Sequence, residues 1–334
     1  MSVLDALDPP APVPAMFWSK ATTYGTRPPK ALRAHTINRV GETFFVFGGC
    51  DARTCFNELY LFDADTLYWS NPRTFGDIPA PRRAHSATLL DQHIFVFGGG
   101  DGPNYFNDLH ILDTETLVWT RAHQVGQVPG PRRAHTTCLY NRSIYLFGGG
   151  DGARALNAVY RLDTSDLSNL TWTKLEVQGT PPIFRGYHTS SLVGSKLIIY
   201  GGSDGYDCLS DCHILDLNTL VWSNVALNQT IPRLSHTAIV VGSYLFIIGG
   251  HDGTRYSSEV LLLNLDTMTW ETCKVYGRTP SGRGYHSALL YDSRIFLHGG
   301  YDGQTVFDEM WILELSAFAY LPQITGFEVQ PPVL

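Results

Sequence analysis

The chain has 334 residues, 24 Lys and Arg against 31 Asp and Glu, a formal charge of −7, 44% hydrophobic residues, 32 glycines and 19 prolines. This mild acidity gives no electrostatic reason to expect nucleic-acid binding or a polybasic membrane contact. No stretch approaches the ~18 uninterrupted apolar residues of a membrane-spanning helix, and the glycine and proline content fits a packed all-β protein with many turns.

The first residues, MSVLDALDPPAPVPAMFW, lack a basic segment and an apolar core of secretory length. Residues 1–15 therefore read as a flexible leader, and the chain is expected in the cytoplasm or nucleus. Cysteines 50, 55, 138, 208, 212 and 273 keep no common register, which argues against a disulfide framework and suits a reducing compartment. The sequons at Asn141, Asn169 and Asn228 read as unmodified turn residues.

After Phe17-Trp18-Ser19-Lys20-Ala21, one unit recurs six times. Its histidines are His35, His85, His135, His188, His236 and His286, at gaps of 50, 50, 53, 48 and 50 residues. A period near ~50 residues marks a repeat architecture. Each unit is expected to form four short strands. The first follows the histidine (His85 to Leu90 is an example). The second is apolar at consecutive positions: 44–47, 94–97, 144–147, 197–200, 245–248 and 295–298. Such a strand is expected to be buried on both faces. It ends each time in Gly-Gly, from Gly48-Gly49 to Gly299-Gly300, where a side chain is expected to strike a large aromatic of the packed blade. The third strand alternates, as in Leu59 to Asp63, and the fourth carries Trp69, Trp119, Trp172, Trp222 or Trp270.

The sixth unit has no tryptophan downstream, whereas Trp18 stands before the first. The spacing from Trp18 to His35 parallels that from Trp69 to His85, so the N-terminal strand, residues 17–21, is expected to close the last blade and remove the open sheet edges. Tyr320 in the tryptophan slot is the alternative closure.

The Gly-Gly-x-Asp-Gly runs, with Asn-Glu-Leu-Tyr and tryptophan downstream, resemble those of kelch-repeat β-propellers over roughly residues 17–320. Blade one departs locally, with Cys50-Asp51-Ala52 in place of Asp-Gly. The resemblance implies an all-β, six-bladed disc of four antiparallel strands per blade around a central channel. Its blades start near residues 33, 83, 133, 185, 233 and 283, within a propeller spanning 16–321, and a tail follows at 322–334. Fungal cell-end polarity kelch proteins and Rab9 effector-like proteins share the likeness more distantly.

Strands alternate in direction, so the loops before strand one and those between strands two and three emerge on one face. The arginines before the histidines lie there beside Glu58, Asp108, Asp211, Glu259 and Glu309 and can make inter-blade ion pairs. Arg33, Arg83 and Arg133 are second arginines confined to blades one to three. This arc suits an acidic or C-terminal carboxylate of a peptide, because the guanidinium fork fits carboxylates in two-point fashion. Phe56, Phe106, Leu156, Leu209 and Phe307 are shared packing positions. The variable tips, Arg53, Asn104, Tyr105, Arg154, Tyr206, Asp207, Arg255, Tyr256 and Gln304, are of types common at interfaces.

The histidine column reads as local hydrogen bonding near the channel rather than metal binding. Cys208, Cys212 and His213 have poor spacing for zinc. Neither a Gly-x-Ser-x-Gly elbow, a phosphate loop nor a His-Glu-x-x-His motif occurs. The expected function is a non-catalytic protein-binding scaffold or adaptor, monomeric, without cofactor or metal, acting on a protein or peptide in cytoskeletal, polarity or trafficking regulation. Family resemblance leaves two alternatives, a metal-dependent enzyme (as in kelch copper oxidases and iron-dependent specifiers) and a substrate receptor of a ubiquitin ligase.

Overall fold

Consecutive apolar residues can all be buried in a strand when a sheet stands against each of its faces. In the computed structural model, which describes residues 15–26, 28 and 30–315, Phe44, Phe45, Val46 and Phe47 are 0 to 5% exposed. The equivalent strands of the other five blades are buried likewise. Among the described residues the chain is all β, six blade sheets set around one axis, with a two-stranded ladder of Gly100–Asp101 and Asn104–Tyr105 in the blade 2 loop.

Blade 2 shows the pattern. Ser86–Leu90, His93–Phe97, Leu109–Asp113 and Val118–Arg121 form an antiparallel meander from axis to rim. Beyond the four expected strands lies a short fifth: Phe75–Gly76 runs parallel to the rim strand. Tyr24–Gly25, Gln124–Gly126, Gln178–Gly179 and Lys274–Gly277 do the same in blades 1, 3, 4 and 6. Blade 5 has four strands. There the Asn228 side-chain amide replaces the missing backbone, accepting from the Trp270 N–H at 2.7 Å and donating to the Trp270 carbonyl at 3.4 Å.

The sixth blade is completed by Ala15–Lys20, antiparallel to Met310–Glu314 with Trp18 opposite Leu313. Trp18 is fully buried, in one cluster with Phe246, Ile248 and Leu313. In four other contacts, a tryptophan of one blade packs on the last residue of the preceding blade's second strand. Phe47 meets Trp119 at 4.8 Å, Phe97 meets Trp172 at 5.2 Å, and Phe147 and Tyr200 meet Trp222 and Trp270 at 5.4 Å each. At the closure, His298 takes that role against Trp69, at 5.1 Å. The closing strand begins two residues earlier than expected and ends at Lys20, so Ala15, expected in the leader, belongs to it; residues 1–14 of that leader, the alternative closure at Tyr320 and the tail at 322–334 lie outside the described residues.

The axis is closed by backbone. Residues 34, 84, 134, 187, 235 and 285 all have φ between 51° and 59°. Each donates its N–H to the carbonyl of its counterpart one blade back, and Ala34 donates to Tyr285, at 2.7–3.0 Å. Six bonds in one unbroken circuit fix the blade number at six.

The Gly-Gly steps serve this axial packing, with one correction to the expected collision. A Cβ on Gly99 (φ 89°) meets the Cβ of its own blade's His85 at 2.7 Å and the Arg83 carbonyl at 2.9 Å. On Gly98 it meets the Arg132 carbonyl and the His135 ring. Histidine and backbone, not a large aromatic, exclude the side chain. Gly99→Val is therefore expected to lower stability by about 1–3 kcal/mol or more, read as a shift in the urea midpoint. A wild-type midpoint would mean that the axial packing is loose.

Candidate functional site

The first arginine is a structural clamp in four of the six units. Arg82 is fully buried; its two terminal nitrogens bond both oxygens of Asp108 at 2.8 and 2.9 Å, and one also bonds the Gly98 carbonyl at 2.9 Å. Phe106 lies under its guanidinium, 4.7 Å away. Arg185 and Asp211 repeat the fork at 2.6 and 2.8 Å, and Arg233–Glu259 and Arg283–Glu309 follow. The pairs were expected between blades, but each lies within one blade, because Arg82 turns inward beneath the strand-two end of its own sheet. Burial works to raise the Asp108 carboxyl, yet hydrogen bonds from His110 and Arg82 outweigh it and hold the group well below the usual carboxylate range. Two units break the pattern. Leu32 replaces the arginine opposite Glu58, and Ala158 stands opposite Arg132, which rests on Tyr160 at 5.1 Å.

The histidines are equally structural. Nε2 of His85, His135, His188, His236 and His286 each shares a 2.9–3.0 Å hydrogen bond with a threonine or serine of the preceding blade, beginning with Thr36. His35 instead meets His298 at 3.2 Å. Cys208, Cys212 and His213 are dispersed: Cys208 donates to the His251 carbonyl, Cys212 is buried in the core, and His213 bonds Asp211.

The variable chemistry stands above these layers, in six three-residue rungs. In each, the residue two before the histidine pairs with the residue after Gly-Gly, which pairs with one across its turn. The rungs are Arg33/Cys50/Cys55, Arg83/Gly100/Tyr105, Arg133/Gly150/Ala155, Gly186/Ser203/Cys208, Leu234/His251/Tyr256 and Gly284/Tyr301/Val306. In five of the turns the aspartate side chain accepts N–H groups two and three residues on, as Asp51 does from Arg53 and Thr54 at 2.7 Å each. These aspartates shape the loops.

The second arginines reach back over the preceding rung. Arg33 lies 4.4 Å above the Tyr301 ring, Arg133 lies 4.8 Å above Tyr105, and Arg83 Nη1 is 3.6 Å from Cys50 Sγ. One half of the axial mouth is thus alanine (Ala34, Ala84, Ala134) bordered by three guanidiniums. The other half is Tyr187, Ser235 and Tyr285, with the two phenol rings edge to face at 5.4 Å. Burial pushes the Tyr285 hydroxyl above its ordinary value, so it remains a neutral donor at physiological pH.

Beside this mouth is a cavity of about 540 Å³, lined by Tyr105, Arg133, Arg154, Phe184, Tyr187 and Tyr206 among others. Four residues singled out from the sequence, Tyr105, Arg133, Arg154 and Tyr206, are brought together there. Tyr206 is 94% exposed. Arg53, Asn104, Asp207, Arg255 and Gln304 are exposed on turn tips outside that lining. Arg154 and Arg255 each point back at their own turn aspartate, 3.9 and 3.6 Å away. Tyr256 is half-buried against His251 and Tyr301. Sequence reading passed over Tyr187, Tyr285 and Phe184. The first two occupy a column that is alanine in three repeats, a departure visible when the units are aligned on histidine.

The comparisons agree with this architecture. The model of the KLHDC2/KLHL20/DRC7 Kelch-repeats domain matches residues 13–167, 113–257 and 227–332. Acyl-CoA-binding domain-containing protein 4 of Arabidopsis thaliana is 29% identical over 210 residues, 63% of this chain and 24% of that protein. Acyl-CoA-binding domain-containing protein 6 of Oryza sativa subsp. japonica is 41% identical over 68 residues, 20% of this chain and 10% of that protein. Rab9 effector protein with kelch motifs of Bos taurus is 46% identical over 57 residues, 16% of this chain and 15% of that protein. The chain thus spans less than a quarter of the length of each of these relatives. With six blades closed in register and a family model matched along nearly all of them, the chain belongs to the kelch-repeat β-propeller family.

Proposed function

We propose that this propeller is a non-catalytic scaffold that holds an acidic segment, or the C-terminal carboxylate, of a protein partner on its rung face. Kelch propellers are in general protein-interaction scaffolds. The observation that carries the finer reading is the concave site where Arg133, Arg154, Tyr105, Tyr187 and Tyr206 meet beside the arginine arc. The guanidiniums there offer paired donors that fit a carboxylate in two-point fashion, and the phenols add single O–H donors. Aromatic walls add apolar contact at low entropic cost. The same reading includes a cytoplasmic location and a role in cytoskeletal, polarity or trafficking regulation, and the likeness to Rab9 effector proteins with kelch motifs is in keeping with an effector role.

The test is a pull-down comparing the native protein with the quadruple variant Tyr105→Ala, Arg154→Ala, Tyr206→Ala, Arg255→Ala. Arg154, Tyr206 and Arg255 are exposed and Tyr105 is half-buried, so an unchanged melting curve with loss of a specific partner is expected. Identical partner sets from both proteins would remove the rung face from consideration.

A further inference from the structure

Blade 1 differs from the other five in carrying two thiols in one rung. Cys50 exchanges both backbone hydrogen bonds with Arg33, at 2.9 and 3.0 Å. On its other side it stands opposite Cys55 with no mutual backbone bond, because Asp51 N–H bonds the Thr54 carbonyl (3.0 Å) and Phe56 N–H bonds the Gly49 carbonyl (2.9 Å). Residues paired in this way have Cα atoms about 4.5 Å apart and side chains on one face of the ladder. A disulfide needs a Cα separation of about 4.4–6.8 Å, so closure requires little beyond rotation of two side chains. The intervening turn is already fixed by the Asp51 side chain. Cys50 Sγ faces Arg83 Nη1 at 3.6 Å, and the Cys55 thiol points to the Gly100 carbonyl at 3.9 Å.

The geometry points to Cys50 and Cys55 as a redox-active dithiol whose closure to a disulfide releases the Arg83 guanidinium to the ligand face. The thiolate form is favoured at Cys50, where the hydrogen bond from Cys55 and the charges of Arg83 and Arg33 hold the thiol below its usual value. At Cys208, half-buried in the rung of blade 4, burial pushes the thiol up to about 11. A low thiol pKa is the ordinary condition for reactivity. Both cysteines are buried, at 3 and 7% exposure, so the oxidant is a small one, hydrogen peroxide. The Cys50 thiolate attacks one peroxide oxygen, the O–O bond breaks, and the departing hydroxide takes a proton to become water. The Cys55 thiol then attacks the sulfenic sulfur; the S–S bond forms and the sulfenic hydroxyl leaves with the Cys55 proton as a second water. Two thiols are oxidised by two electrons and one peroxide is reduced. A disulfide sulfur carries no charge, so Arg83 loses its anionic neighbour and keeps a full positive charge for an external carboxylate. The consequence for partner binding rests on the function proposed above; the disulfide itself does not.

The full-length protein is treated with hydrogen peroxide, alkylated and digested with trypsin, which cuts at Arg53 between the two cysteines. The expected product is a cross-linked peptide pair that disappears on reduction and is absent from Cys50→Ser and Cys55→Ser. In the same samples Arg83 reacts faster with phenylglyoxal after oxidation, but not in Cys55→Ser. Absence of the cross-link, or a cross-link with unchanged Arg83 reactivity, overturns the proposal. A labelled hexaglutamate peptide with a free C-terminus is titrated in parallel and is expected to bind the oxidised form more tightly. If it binds neither form while cross-link and Arg83 reactivity both rise, the dithiol stands and the carboxylate reading of the rung face falls.

Discussion

Removing residues 1–22 lowers the melting temperature by about 10 °C or more, because blade 6 loses its rim and the ring its closure. The deleted strand carries Met16 and Trp18, both fully buried. Truncating one buried tryptophan to alanine alone costs about 3–5 kcal/mol, and each kcal/mol moves the midpoint of a large domain by a few degrees. The strand also carries Lys20, which bonds Glu309 at 2.6 Å. Burial works to raise that carboxyl, but Lys20, Trp311 and Arg283 outweigh it and bring it to about 2. Without the strand, Arg283 keeps a partner that has lost its second cation, and Met310–Glu314 becomes an open edge, a template for aggregation. Trp18→Ala in the intact chain separates packing from pairing and is expected to give a smaller loss than the deletion. Differential scanning calorimetry reads both. A deletion that melts like the native chain would show that the rim strand is dispensable to the ring.

Whatever repeats in register could be read from the sequence, and what depends on register between neighbours could not. The histidine column, the Gly-Gly steps, the doubly buried second strands and the tryptophans recur six times or nearly so, and their period gave the blade number and the closing role of Trp18. The fifth strands, such as Phe75–Gly76, are too short to show a strand's alternation, and the glycine that ends each of them, at 25, 76, 126, 179 and 277, is the repeated signal that was passed over. In blade 5 a single side chain, Asn228, does the equivalent work. The intra-blade clamp of Arg82 on Asp108 was misread as a link between blades because spacing of 26 residues fixes no direction. At the site, tip residues were recognisable as variable, but not which of them converge. Tyr105 belongs to blade 2 and Tyr206 to blade 4, and the cavity that joins them exists because blade 3 presents the small Gly150 and Ala155 between them. In the sequence, Cys50 and Cys55 stood out only as two of six cysteines without a common register. Pairing across the turn is what makes them neighbours.

The largest effect of pH is expected between 6.5 and 5, and it comes from histidine. His35, His85, His135, His188, His236, His286 and His298 are all buried. Burial pushes His135, His236 and His286 down to about 3 and His298 to about 4, against an ordinary value of 6.5. His35, His85 and His188 are also well below it, burial again leading, with His298 the next cause for His35. The native state therefore keeps these rings neutral, while an unfolded chain protonates them as pH falls through about 6.5. Protons are bound in greater number by the unfolded chain, so the stabilisation is complete above 6.5 and declines as pH drops towards the folded values. Each ring contributes up to about 1.4 kcal/mol per pH unit in that window, and all seven act in the same direction against a total stability on the order of 5–15 kcal/mol. Carboxylates account for little of a loss there. Asp108, Asp211 and Glu309 are depressed in the native state, so their contribution is nearly complete above about pH 5 and fades mainly as pH falls through the ordinary carboxylate range below it. Urea unfolding at pH 7.5, 6.0 and 5.0 is expected to show a steep fall in stability, and His298→Gln, which removes one titrating ring from the His35 pair, a shallower one. A stability profile that stays flat from 7.5 to 5 and breaks only near 4 would assign acid sensitivity to the arginine–carboxylate clamps instead of the axial histidines.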